Sequence, residues 1–511
     1  MPNTVDLSGK PFHFIGIGGI GMSALAYVLA KRQLPVSGSD IRSTHITQRL
    51  AAVGAHLFRE QKATNLEFFQ SASESICTGL STTAVGISPM LTTMESSSKA
   101  SQSLCNHKPS SAFPQVICSS AINTLNSEYQ AALEQGYPIF HRSDLLAALI
   151  RDYQSIAVAG THGKTTTSSL MGYLLLKAGL DPTIVVGGEV DAWQGNARLG
   201  EGAYLVAEAD ESDGSLTKLA PAIGVITNIE LDHPDHYESL EQVVETFQIF
   251  ADHCQTLVGC IDCETLRTRL VPTISYSLRR NANADYSVDR VEYQADGTTA
   301  QVWEGDRILG KLRLKLLGKH NLSNALAVVA VGRHLGLDFD TIAEALATFE
   351  GAKRRFELRG QCNGIRFIDD YAHHPSEIQA TLASARLQVK PPHRVVAVFQ
   401  PHRYSRTLTF LQEFANSFGD ADLVVVTDIY SAGEASAGQI TGEQVREAIA
   451  AHHERVYYQP TLDSVLERLT QLLQPGDFVL FLGAGNLNQI IPKVLDFYQT
   501  VDQDRTMTLH H

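Results

Sequence analysis

Ala159-Gly160-Thr161-His162-Gly163-Lys164-Thr165-Thr166-Thr167 sets two glycines, a lysine and several hydroxyls in the order that holds a polyphosphate. The spacing departs from the usual phosphate loop, whose first glycine would fall at Val158. The chemistry is otherwise complete. Backbone amides can cradle phosphate oxygens, Lys164 can neutralise the terminal ones, and the Thr165 hydroxyl can ligate Mg²⁺. Glu208-Ala209-Asp210-Glu211-Ser212-Asp213 offers carboxylates of the kind that hold the cation beside such a loop. Thr227-Asn228-Ile229-Glu230-Leu231-Asp232-His233 adds further polar groups. A neutral His233 imidazole could join a divalent metal there, although Mg²⁺ prefers oxygen.

Gly16-Ile17-Gly18-Gly19-Ile20-Gly21, with Asp40 further on, has the spacing of a dinucleotide fingerprint. Three readings stay open from these residues: NAD(P), another diphosphate such as a nucleotide sugar, or a purely structural turn. Gly318-Lys319-His320-Asn321-Leu322-Ser323-Asn324 places two asparagines at a helix start, where helix capping is the simpler reading and recognition of an adenine edge the sharper one. Asp369-Asp370-Tyr371-Ala372-His373-His374-Pro375 and Gln400-Pro401-His402-Arg403-Tyr404-Ser405-Arg406 gather His, Arg and Tyr after two apolar runs. Such collections at strand ends suit an anionic small molecule.

These motifs need strands to carry them, and apolar runs precede each one. Phe12 to Ile17 reads as a strand, Gly18 to Gly21 as a turn, Met22 to Arg32 as a helix, and Pro35 to Asp40 as the next strand and its end. Further strands are expected at Pro114 to Cys118, Ser155 to Ala159, Tyr204 to Ala207, Ile223 to Thr227, Arg394 to Phe399, Leu423 to Val426 and Phe478 to Phe481, with a helix near Ser127 to Gln135. Strands alternating with helices imply largely parallel sheets. The stricter alternation over 285–317 implies a small antiparallel edge. In 71–112, 17 of 42 residues are Ser or Thr without periodicity, which reads as a surface insertion or flexible loop.

At about 150 residues per domain, 511 residues suggest about three domains. A net charge of −14 argues against grip on nucleic acid through bulk charge, so phosphates must be bound locally. Seven scattered cysteines fit a reduced compartment, and the lone pair Cys260 and Cys263 lacks the further ligands of a zinc site. No apolar run is long enough to cross a membrane, and Phe12 to Ala30 lacks the features of an export signal. A cytoplasmic protein is expected, with no membrane partner.

Taken together, Gly160 to Thr165, Glu208 to Asp213, Thr227-Asn228-Ile229 with Asp232-His233, Gly318 to Asn321 with Asn324, and Arg354-Arg355-Phe356 resemble the Mur ligase family in order and spacing. Gly16 to Ser23, Asp369 to Pro375 and Phe399 to Thr407 resemble the members that join L-alanine to UDP-N-acetylmuramate in peptidoglycan precursor synthesis. The resemblance covers nearly the whole chain except 71–112. It implies an α/β protein of three domains: a Rossmann-like UDP-sugar domain over 1–151, a central P-loop-type ATPase over 152–350, and a Rossmann-like amino-acid domain over 351–505. It assigns the first glycine loop to a UDP diphosphate rather than to NAD.

The implied reaction passes the γ-phosphoryl group of ATP to the lactyl carboxylate of the sugar, and the alanine amine then displaces phosphate. Gly160, Thr161, His162, Gly163, Lys164, Thr165, Thr166, His320, Asn321, Asn324, Arg355 and Asp370 are then expected at ATP, with Arg354 adjacent to Arg355 as an alternative. Thr165 and Glu208 are expected at a first Mg²⁺ and His233 at a second. Gly18, Gly19, Ser37, Asp40, Ser119 and Ser120 are expected at the UDP-sugar, and Tyr371, His373, Arg403 and Arg406 at the amino acid. Lys164, Arg355 and His373, the last as a candidate base, carry the chemistry in this reading. A ligase adding a preformed peptide to the same sugar is the near alternative, and an NAD(P) oxidoreductase the remote one. A monomer or homodimer is expected.

Overall fold

The apolar runs become the inner strands of three sheets. The computed structural model describes residues 4–70, 113–435, 438 and 440–508, with side chains up to 500. The Ser-rich segment 71–112, expected to be a surface insertion, lies outside the described residues.

The chain divides into two compact units, Met1–Ala148 and Leu149–His511. The first holds five parallel strands: β1 (Phe12–Ile15), β2 (Val36–Ser39), β3 (His56–Phe58), β4 (Gln115–Cys118) and β5 (Ile139–His141). Their order is β3-β2-β1-β4-β5. The direction of winding reverses between β1 and β4, where open α/β sheets leave a crevice beyond the strand ends. Gly16 to Gly19 follow β1, and Ser119 and Ser120 follow β4, so both border that crevice. The turn is shorter than expected, because the helix Ile20–Lys31 already includes Gly21.

The second unit holds two sheets. One contains β6 (Gln154–Ala159), β7 (Thr183–Val190), β8 (Gly195–Arg198), β9 (Tyr204–Glu208), β10 (Ile223–Ile226), β11 (Thr256–Cys260), β12 (Ile274–Ser277), β13 (Tyr286–Gln294), β14 (Gly297–Glu304) and β15 (Arg307–Leu314). The order is β15-β14-β13-β12-β11-β10-β6-β9-β7-β8. Antiparallel pairing of β13, β14 and β15 forms the expected edge. A second antiparallel edge, β7 with β8, was not expected from the sequence. Strand β6 lies between β10 and β9, so its following loop faces the carboxyl ends of both. Ile156, Val158, Val206 and Val225 are fully buried, as strands covered on both faces must be.

The other sheet contains β16 (Glu357–Cys362), β17 (Ile365–Asp370), β18 (Val395–Phe399), β19 (Leu423–Val426), β20 (Val456–Tyr458) and β21 (Phe478–Leu482), in the order β16-β17-β21-β18-β19-β20. All its pairings are parallel except β16 with β17. Strands β17 and β18 end at Asp370 and Phe399, just before the two His- and Arg-rich motifs. Leu231, from the loop after β10, packs against the apolar core of this last sheet. Among the described residues no helix is long and apolar enough to cross a membrane.

Candidate active site

The phosphate loop leaves β6 and enters the helix Lys164–Lys177 at Gly163. Glycine is required at its two corners. Gly160 has φ +132°, and a Cβ there would lie 2.0 Å from Thr227 Oγ1. Gly163 has φ +84°, and a Cβ there would lie 2.5 Å from Asn324 Oδ1. Asn228 pins the loop from β10: its Oδ1 accepts from the His162 amide at 2.8 Å, and its Nδ2 donates to the His162 carbonyl at 3.0 Å.

Lys164 Nζ curls back over the loop and donates to Gly160 O (2.7 Å), Thr161 O (3.1 Å) and Glu211 Oε1 (2.7 Å). Burial opposes the lysine's charge, but Glu211 and Asp210 more than compensate and keep it above its ordinary pKa. Glu211 is buried, and burial outweighs Lys164 to push it up to about 7. Its Oε2 has no hydrogen-bond partner. In the sequence Glu211 stood only as one of several strand-end carboxylates, with no role of its own.

Thr165 Oγ1 donates to Glu208 Oε1 at 3.0 Å, and Glu208 Oε2 accepts from the Gly187 amide at 2.7 Å. A hydroxyl and a carboxylate side by side suit a hard cation. His233 Nε2 lies 3.7 Å from Glu211 Oε1, and Nδ1 lies 3.4 Å from Arg406 Nη2. Burial depresses its pKa to about 4, so the ring is neutral, the form a metal takes.

A second imidazole cluster, His162, Glu230 and His374, brings one donor atom of each within 4.8 Å of the others. It differs in charge. Burial alone would lower His162, but its bonds to Glu230 and Glu377 carry it up to about 10. An imidazolium already neutralises these carboxylates. Burial would likewise raise Glu230, yet His162 holds it near 2. The stabilisation from His162 is therefore complete below pH 6.5 and is lost as pH rises through about 10. That from Glu230 is complete above pH 4.5 and is lost as pH falls through about 2. Unfolding midpoints measured against pH for wild type and His162→Gln should accordingly converge between pH 6.5 and 10; a constant gap would contradict the ion pair.

A cavity of about 250 Å³ opens beside the loop. His162, Gly163, Thr166, His320, Asn321, Asn324, Arg355 and Asp370 all line it. Gly160 and Thr161 belong to the loop itself, and Lys164 and Thr165 open the helix that follows it. Neither asparagine caps the helix Lys319–His334, whose N-cap is Gly318 without a side-chain bond. Asn321 Nδ2 donates instead to Leu317 O at 2.8 Å, and Asn324 Nδ2 faces Asn321 Oδ1 at 3.4 Å. Burial drops His320 to about 4 and raises Asp370 to about 6. Asp370 accepts from the Phe356 amide (2.7 Å) and the Ala372 amide (2.8 Å).

Arg355 Nη2 donates to Thr165 Oγ1 at 3.2 Å, whereas Arg354 Nη2 donates to Gly483 O at 2.7 Å and its Nε lies 3.5 Å from Asp369. Arg354 has φ +58°, which turns consecutive side chains to different partners. Arg355→Ala should lower kcat by about 10²-fold, as loss of one donor to a developing anion does. Arg354→Ala should lower the unfolding midpoint and affect kcat less. Equal kcat losses would erase the distinction.

The residues expected at the amino acid are distributed unevenly. Tyr371 is flanked by the guanidinium groups of Arg354 and Arg355, 4.8 and 5.0 Å from its ring centre. Its amide donates to Arg354 O at 2.8 Å. His373 Nδ1 lies 2.9 Å from Tyr371 O, and its ring faces His402 at 5.7 Å. Arg406 is only 2% exposed and donates through Nε to Asp232 Oδ1 at 2.8 Å. Burial alone would raise Asp232, but Arg406 holds it far below the usual carboxylate range. Arg403 pairs with Asp235. Glu377, not singled out from the sequence, accepts from the His373 amide (3.0 Å) and meets His162 Nδ1 (3.2 Å). The signal was present as a capping-box spacing, His374 to Glu377.

In the first unit, Gly18 and Asp40 come together: the Gly18 amide donates to Asp40 Oδ2 at 2.8 Å. Gly19 is the N-cap of the helix Ile20–Lys31, whose first turn has no side-chain cap and favours an anion. Ser119 is half-buried and Ser120 exposed. Ser37 lies in β2. It is fully buried, and its hydroxyl lies 2.9 Å from His13 Nδ1. The neighbouring Ser39 and Asn65 donate to the buried carboxylate of Glu128. That network holds the Ser37 hydroxyl in the interior of the unit.

A phosphate loop beside strand-end carboxylates, met by an arginine and an anion-suited pocket from a second sheet, defines an ATP-dependent α/β enzyme. The chain belongs to the Mur ligase family. Residues 11–154 match the Mur ligase family catalytic domain, 158–332 the Mur ligase middle domain, and 354–485 the Mur ligase glutamate ligase domain. The UDP-N-acetylmuramate--L-alanine ligase of Nostoc punctiforme is 66% identical over 495 residues, covering 97% of this chain and 98% of that protein. The ligase of the same name from Synechococcus elongatus is 59% identical, covering 98% of each. Among solved structures, the UDP-N-acetylmuramate-alanine ligase MurC of Thermotoga maritima matches with a TM-score of 0.75 at 27% identity, covering 96% of this chain and 99% of that one.

Proposed function

We propose that this enzyme joins L-alanine to the lactyl carboxylate of UDP-N-acetylmuramate, with ATP converted to ADP and phosphate. The full-length similarity to ligases of that name carries the reading. The residues supply a coherent chemistry for it. Transfer between two anions needs charge neutralisation and alignment more than covalent help. Lys164 and Arg355 converge on the loop from opposite sheets and can flank the transferred phosphoryl group. His320, Asn321 and Asn324 are assigned to the adenine and Asp370 to the ribose. Thr165 and Glu208, with His233 nearby, are assigned to Mg²⁺, which when bound would neutralise phosphate charge. Gly18, Gly19, Asp40, Ser119 and Ser120 are assigned to the UDP end. Arg403 and Arg406 are assigned to the carboxylate of alanine, with Tyr371 and His373 beside it and His373 the candidate base.

In this reading residues 1–151 serve the UDP-sugar, 152–350 ATP and 351–505 the amino acid. Cys254, Cys260 and Cys263 are free thiols, which fits the cytoplasm where ATP and nucleotide sugars are made. The test is phosphate release from ATP with Mg²⁺ and UDP-N-acetylmuramate, with or without L-alanine, and with L-Ala-γ-D-Glu-diaminopimelate as a third arm. Release that needs the sugar and rises with L-alanine is expected. Release only with the tripeptide would replace the amino acid by a peptide.

A further inference from the structure

Two arginines three residues apart, Arg403 and Arg406, meet two aspartates three residues apart, Asp235 and Asp232. The arginines follow β18, and the aspartates lie on the loop after β10, so each pair joins the two sheets of the second unit. The pairs differ in environment. The side chains of Arg406 and Asp232 are 2% and 6% exposed, while those of Arg403 and Asp235 are 32% and 33% exposed. Removing one partner of the buried pair would strand a charge, so that pair is fixed. The outer pair is solvated and weak by nature.

Arg403 is also held in an unusual backbone. Its φ is +67°, and its amide donates to Tyr430 O at 2.8 Å. Such strain persists where surrounding structure imposes it, and it is commonest at ligand-binding positions. Its other acidic neighbour, Glu434, lies 3.8 Å away and is engaged elsewhere. It accepts from the Tyr404 amide (2.6 Å), the Ser405 amide (3.2 Å) and Ser405 Oγ (2.6 Å). Asp235 is thus the exchangeable carboxylate on Arg403.

We propose that Asp235 is a gate for the amino acid: its carboxylate occupies Arg403 until the α-carboxylate of the incoming substrate replaces it. This rests on the reading of Arg403 as the substrate's carboxylate anchor. The exchange is balanced in charge, since one carboxylate leaves the guanidinium as another arrives. Asp235 then returns to water, where its side chain is already a third exposed. Arg406 does not exchange, because Asp232 is its buried partner. Asp235 therefore sets affinity for the amino acid without touching ATP.

The experiment compares steady-state kinetics of Asp235→Asn, Asp235→Ala, Asp235→Glu and Arg403→Ala. Removing the competing charge should lower the KM for L-alanine about two- to fivefold in Asp235→Asn and Asp235→Ala, the scale of an exposed ion pair. The KM for ATP and the Mg²⁺ requirement should not change. Asp235→Glu should stay near wild type, and Arg403→Ala should raise the KM for L-alanine. An unchanged or higher KM in both Asp235→Asn and Asp235→Ala, with Arg403→Ala still impaired, overturns the gate and leaves the anchor. No effect in any variant overturns both. A lower KM in the Asp235 variants without impairment in Arg403→Ala places the exchange on another guanidinium and also overturns the proposal.

Discussion

Lys164→Ala is expected to reduce sugar- and alanine-dependent phosphate release by at least about 10²–10³-fold, the cost of removing one preorganised donor to a developing charge. The loss should appear in kcat and persist at saturating ATP. The same substitution leaves the buried Glu211 without its 2.7 Å partner. An unfolding midpoint below wild type is therefore expected as well. Lys164→Ala combined with Glu211→Gln separates the effects. The pair of substitutions should recover most of the midpoint and none of the turnover. Turnover near wild type in Lys164→Ala would remove the lysine from the phosphate site.

Arg406→Ala is expected to destabilise the protein by about 3–5 kcal/mol, because it leaves Asp232 buried without a counter-charge. Denaturant unfolding measures this directly. Replacing both partners, Asp232→Leu with Arg406→Met, should restore much of the stability, since desolvation of two charges is avoided. It should not restore alanine-dependent turnover. Full stability in Arg406→Ala would show that the pair is dispensable to the packing of the loop after β10.

The sequence revealed whatever is local. Val158, Val225 and Val398 sit in apolar runs too short and too uniform to be anything but covered strands, and each run ends in its polar motif. Glycines at 160 and 163 announced a sharp turn for the same reason that makes them necessary. Distant contacts were hidden. Lys164 was legible as the charge that meets the phosphates, but its enclosure against a carboxylate 47 residues away was not. Arg354 stayed open as an alternative to Arg355, because the backbone turn that sends their side chains to different partners is not written in the spacing. The burial of Ser37 was not legible either, because a hydroxyl in a strand reads alike whether it faces solvent or the core. Asn321 and Asn324 read more simply as caps, and the position of Gly318 at the helix start, with no side-chain cap bond, excludes that. Glu377 reaches His162 across 215 residues, a separation no spacing rule encodes.

Glu377 performs two tasks with one carboxylate: Oε2 closes the start of the helix Pro375–Gln388, and Oε1 meets the imidazole of the phosphate loop. Its freedom to drift is accordingly smaller than either task alone would allow. Aspartate, shorter by one methylene, cannot span both partners from the same backbone position, and glutamine keeps the reach but loses the charge. A position constrained twice in this way tolerates no conservative exchange, so among naturally occurring variants it should stay glutamate even where the residues around it change.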